Sequence, residues 1–140
     1  MMMKEQQVLY SRFYKAQDRF TASEQVHGHE PFVIRDYIEC AQTLAAYYEK
    51  HAAQENILLC ELYLRQVFFH LIEAIESPER SFTFRHICLD SIHSPLFYLK
   101  RHYCQQPHGQ ARFLNLSQTL QQVQAPTWLT RIEDDPTISN

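Results

Sequence analysis

The sequence predicts an all-α fold, a compact bundle of five or six helices forming one domain over residues 1–130. Three observations carry that expectation. Apolar residues recur at steps of three and four through several separate segments, which is the stripe of an amphipathic helix. Only two glycines, Gly28 and Gly109, occur in 140 residues, whereas a β-rich domain of this size spends many more on turns and bulges. Hydrophobic residues make up 45% of the chain and include nine Phe, eight Tyr and one Trp, far from the profile of a disordered polymer and enough to fill a core.

The elements follow in order. Leu9, Phe13, Ala16 and Phe20 mark a first helix from Lys4 to Phe20. A loop follows through Thr21–Pro31, carrying His27-Gly28-His29, and Pro31 suits the first turn of the next helix because its missing N–H has no intrahelical partner there. Ile34, Tyr37, Ile38, Ala41, Leu44, Ala45 and Tyr48 form the stripe of that second helix, with Arg35, Asp36, Glu39 and Glu49 on its other side.

The third helix, about residues 54–76, is apolar around more than half of its circumference. A helix of that kind must be surrounded by others, which makes it the centre of the bundle. Ser77-Pro78 ends it. Ser81 or Thr83 caps a fourth helix through Phe84, Ile87, Cys88 and Ile92, and a kink or break is expected near Pro95 before Leu96, Leu99 and Tyr103. After a Pro107-His108-Gly109 loop, Phe113, Leu116, Leu120 and Val123 define a last helix to about Gln124, ended by Pro126. Trp128 and Leu129 are expected to dock on the bundle, and residues 131–140 form an acidic tail around Glu133-Asp134-Asp135.

A net charge of −3 does not suit a polyanionic partner, so no nucleic acid is expected. Cys40, Cys60, Cys88 and Cys104 fall inside helical segments without a CxxC pair, which reads as buried free thiols in a reducing compartment. Met1–Gln7 lacks the apolar core of a signal peptide. The most apolar stretch, 57–75, is interrupted by Glu61, Arg65, Gln66, His70 and Glu73 and does not suit lipid. A cytoplasmic protein without membrane contact is the resulting expectation.

Two constellations could carry chemistry. His86, Asp90 and His93 follow at steps of four and three, so a continuous helix would place two imidazoles and a carboxylate on one face, a legitimate first shell for zinc or iron. No second ligand-bearing helix is identifiable, and an ordinary polar stripe has the same spacing; no metal or other cofactor is expected. The string Arg65-Gln66-Val67-Phe68-Phe69-His70 resembles the Arg-x4-His motif of the HEPN ribonucleases, small helical bundles in which an arginine and a histidine act on the RNA backbone. That resemblance implies Arg65 and His70 converging on one phosphate. Helical phase opposes it: residues five apart point about 140° away from each other, so Arg65 is expected to pair with Glu61 and His70 to find a partner elsewhere.

No phosphate-binding glycine loop, nucleophile elbow or zinc-protease motif occurs, so the reading favours a binding protein over an enzyme. The expectation is a helical interaction module of regulator, adaptor, chaperone or toxin-neutralising type, working on another protein or on a second copy of itself. Tyrosine is favoured where one end of a side chain is apolar and the other wet. With Tyr10, Tyr14, Tyr47, Tyr48, Tyr63, Tyr98 and Tyr103 too numerous for so small a core, Tyr47, Tyr48, Tyr98 and Tyr103 are the expected binding surface.

Overall fold

A computed structural model describes residues 4–22 and 28–124. Among these residues six helices run in the order α1 (Lys4–Thr21), α2 (Glu30–Tyr47), α3 (Ile57–Glu76), α4 (Phe82–Ser91), α5 (His93–Tyr103) and α6 (Gly109–Gln124). They pack as an all-α bundle in which α3 contacts α2, α4, α5 and α6, while α1 lies chiefly on α2. No helix among the described residues is long and apolar enough to cross a membrane. The docking expected of Trp128 and Leu129, the acidic tail and His27 lie outside the described residues.

Local chemistry sets the boundaries. Pro31 sits in the first turn of α2, where its missing donor costs nothing. The third helix starts three residues later than its periodicity suggests, because Asn56 caps it: the side-chain oxygen accepts from the Leu59 amide at 3.1 Å. Asn56 also donates its own amide to the Tyr48 carbonyl at 2.8 Å, which closes the 48–56 connection on itself. Of the two candidate caps for α4, Ser81 does the work, accepting from the Phe84 amide at 3.1 Å.

The break expected near Pro95 is present and falls at Ile92, three residues before it. Ile92 is fully buried and keeps near-helical angles, and Pro95 then occupies the first turn of α5, where an absent N–H leaves no bond unmade. Gly109 opens α6 instead of lying in the preceding loop. A Cβ there would lie 1.8 Å from the Tyr103 carbonyl oxygen, so the α5–α6 corner admits no side chain at that position.

One core joins all six helices. Phe13 and Phe20 of α1, Ile34, Tyr37 and Leu44 of α2, Val67, Phe68, Leu71 and Ile75 of α3, Phe84 and Cys88 of α4, Leu99 and Tyr103 of α5, and Leu116, Leu120 and Val123 of α6 are all buried. Cys40, Cys60 and Cys88 are buried free thiols, but Cys104 lies just past α5 and is exposed. Burial pushes the Cys60 thiol up to about 11 and the Cys88 thiol higher still, which makes both poor nucleophiles at neutral pH.

Candidate functional site: the open face of the central helix

The central helix is not enclosed on every side. Leu58 is 77% exposed and Leu62 46% exposed, although they belong to the most apolar helix of the chain. Continuing along the same face, Leu62, Arg65, Gln66, Phe69, His70 and Glu73 line a shallow groove of about 270 Å³. Its Arg65–Phe69 edge is shared with a second groove of about 480 Å³, completed by Glu61 and, from α6, by Arg112, Asn115, Leu116 and Thr119. His70 and Glu73 are shared with a third, of about 190 Å³, which reaches Phe20, Thr21 and Arg80. The three form one continuous trough along α3 with α6 on one flank and the end of α1 on the other.

The polar walls are anchored from beneath. Tyr103 donates its hydroxyl to Glu61 Oε1 at 2.7 Å and accepts from Arg65 Nη1 at 3.1 Å. Arg112 reaches both Glu61 oxygens through Nη1 at 3.3 Å. The expected direct Arg65–Glu61 pair is therefore replaced by a buried phenol standing between the two, with Arg112 as the ion partner of Glu61 and Phe69 lying under the Arg65 guanidinium at 5.2 Å.

His70 turns the other way. Its Nδ1 shares a hydrogen bond with the Tyr37 hydroxyl, and burial lowers its pKa below the ordinary imidazole value while pushing Tyr37 up to about 12. Arg65 and His70 thus line one open trough, but their polar ends are pinned on opposite sides of it, to α5 and to α2. The convergence on a single phosphate implied by the HEPN resemblance is not made.

The face that a continuous helix would give His86, Asp90 and His93 is divided between two helices. His86 Nε2 lies 3.6 Å from Asp90, both largely exposed, whereas His93 stands beyond the Ile92 break on another helix. Among the described residues no group of three or more His, Cys, Asp or Glu side chains could hold a metal ion.

The four tyrosines expected at a surface divide. Tyr48 and Tyr103 are buried, Tyr103 reaching only the wall of a groove between α5 and α6, while Tyr47 and Tyr98 are half-buried. Tyrosines enter this core because they satisfy one another: Gln6 donates to Tyr48 at 2.7 Å, the Tyr10 and Tyr48 hydroxyls are 2.8 Å apart, and Tyr63 donates to Tyr10 at 3.1 Å. A phenol chain across α1, α2 and α3 thereby takes up hydroxyls that would otherwise need water. Tyr98 lies under the Arg101 guanidinium beside a polar cavity of about 300 Å³ floored by Cys60 and His102.

Sequence reasoning missed the trough. Its apolar residues were counted as core, and only the two exposed leucines of α3 distinguish it. Compared with known proteins, the chain matches no family model, no curated protein sequence and no solved structure.

Proposed function

We propose that the chain is a non-enzymatic protein-interaction module whose docking surface is the open face of α3. The observation that carries this reading is the exposure of Leu58 and Leu62 on the central helix, whose opposite face is buried in the core. Leaving two leucines in water forgoes about 1.5–3 kcal/mol each relative to full burial. The partner that fits is an amphipathic helix: it lays an apolar stripe on Leu58, Leu62 and Phe69 and sets acidic residues against Arg65 and Arg112 on the α6 flank.

The test is a selection of displayed 16-residue peptides on the full chain, counter-selected on a Leu58→Glu/Leu62→Glu variant whose helicity and melting are first shown to be unchanged. Enriched sequences should place apolar residues at helical spacing beside acidic ones. Failure to enrich any peptide over the counter-selection would defeat the reading. A dimer in sedimentation that the double variant dissociates would make the occupant a second copy instead.

A further inference from the structure

We infer that the cavity between α2, α3 and α5 binds a small organic carboxylate, its head group among Lys50, Arg101 and His102 and its short hydrocarbon body against Ala45 and Leu64. The site shares no lining residue with the α3 trough and does not rest on the docking reading.

The lining is graded from interior to solvent. Cys60 and His102 are 3% and 7% exposed, whereas the Glu49 and Arg101 side chains are 44% and 53% exposed, so the cavity has a floor and a wet rim. Both rim charges act on the Cys60 thiol, which places floor and rim within one small molecule's length. The volume of about 300 Å³ stands at the small end of ligand-binding cavities.

The floor offers a donor. An amide nitrogen can only donate, so the 2.6 Å contact from Gln106 Nε2 makes His102 Nε2 the acceptor and leaves the ring proton on Nδ1. Burial lowers the His102 pKa, which keeps the ring neutral and this tautomer in place at pH 7. Nδ1 has no hydrogen-bond partner among the described residues. The one sealed side-chain nitrogen or oxygen without a partner there is Gln66 Oε1, so the Nδ1–H still meets open space, and the cavity is the space that His102 lines.

The rim carries cations in excess. Lys50 makes no ion pair among the described residues, and Arg101 engages Glu49 through Nη2 alone, at 3.2 Å, while its guanidinium lies over Tyr98. Glu49 is the one acidic side chain on the lining, so two cations face one carboxylate and leave a single positive charge. That balance suits a monoanion and would leave a phosphate dianion half neutralised. A carboxylate has one oxygen for the rim cations and one for the His102 N–H.

The probe is sodium butyrate, titrated into the full chain at an ionic strength held constant with sodium chloride and followed by the His102 ring and Ala45 methyl resonances. Both should shift saturably with a Kd of about 1 mM, the range of so small a ligand at ordinary efficiency. Butan-1-ol and butylammonium chloride should leave them in place. Lys50→Gln should weaken binding about fivefold, as loss of one exposed charge does, and Lys50→Gln/Arg101→Gln should bring it below detection. Ala46→Leu fills the cavity from an exposed position and should abolish binding without lowering the melting temperature. Leu62→Glu, on the trough, should change nothing.

Absence of a saturable shift with butyrate overturns the inference. Equal shifts with butan-1-ol do so too, since they would make the cavity an apolar pocket without anion recognition. Shifts left intact by Ala46→Leu and by the Lys50/Arg101 double variant would place the probe elsewhere. Inorganic phosphate that displaces butyrate at equal concentration would mark a general anion site and remove the carboxylate assignment.

Discussion

Arg80 holds Phe20 by two contacts at once: its Nη2 donates to the Phe20 carbonyl at 2.6 Å, and the guanidinium carbon stands 5.6 Å from the centre of the Phe20 ring. The same side chain donates to the Ala22 carbonyl at 3.0 Å and lies 4.4 Å from the centre of the Phe84 ring. One residue in the α3–α4 connection thus caps the C-terminus of α1, whose last carbonyls have no intrahelical donor, and joins it to α4.

Arg80→Ala should therefore destabilise the fold by about 2–3 kcal/mol, the worth of charge-assisted bonds to carbonyls together with a partly desolvated cation–π contact. Urea midpoints at unchanged m-value measure it. Arg80→Lys should recover only part of the loss, because a single ammonium lacks the planar pair of nitrogens that reaches both carbonyls while lying over the Phe20 and Phe84 rings. Equal stability of Arg80→Ala and wild type would show that the α1 terminus is held by other contacts.

Gly109→Ala should cost about 2–3 kcal/mol, since the added methyl would meet the Tyr103 backbone carbonyl rather than a movable side chain. The damage should be regional, with amide exchange accelerating in α6 and at the end of α5 before it does in α2 or α3.

Tyr103→Phe removes the hydroxyl between Glu61 and Arg65 without altering the ring that fills the core. A loss of about 1–3 kcal/mol is expected, the cost of leaving half-buried charged partners with one fewer bond. Glu61→Gln should soften the effect of Tyr103→Phe, and a double-mutant cycle should return a coupling of about 0.5 kcal/mol or more. Strict additivity would mean that the hydroxyl contributes to neither neighbour.

Acid should weaken the fold through His70 and His102. Burial, the first cause in both, lowers their folded pKa values below the ordinary 6.5. The unfolded chain then takes up protons at a higher pH than the folded one, so the stabilisation is fully present above about pH 6.5 and is lost as pH falls through the folded values. The slope of unfolding free energy against pH in that window should flatten in His70→Gln and again in His70→Gln/His102→Gln. A slope that neither substitution changes would assign the acid sensitivity to other groups.

The helical framework was legible because period and punctuation agree locally: Phe13, Ala16 and Phe20 face inward as their spacing requires, and Ser77-Pro78 stops α3 where expected. What escaped was set by contacts distant in sequence. Glu61 and Arg65 look like an ordinary ion pair one turn apart until a tyrosine 38 residues beyond Arg65 inserts between them. Pro95 marks the neighbourhood of the break, but the joint itself is Ile92, because a proline in the first turn of a helix costs nothing. The apolar count of α3 marked it as central; which arc of it stays uncovered depends on which neighbours pack on it, and no periodicity within α3 records that.

The single-residue joint at Ile92 makes chain length between α4 and α5 far less negotiable than residue identity. One inserted residue would rotate everything after it by about 100°, turning Leu99 and Tyr103 from the interior toward solvent and withdrawing the phenol on which Arg65 and Glu61 depend. Length variation among descendants of this sequence should therefore accumulate in the 48–56 connection, where backbone bonds close a longer loop locally, while the α4–α5 corner keeps its residue count even as the letters around it drift.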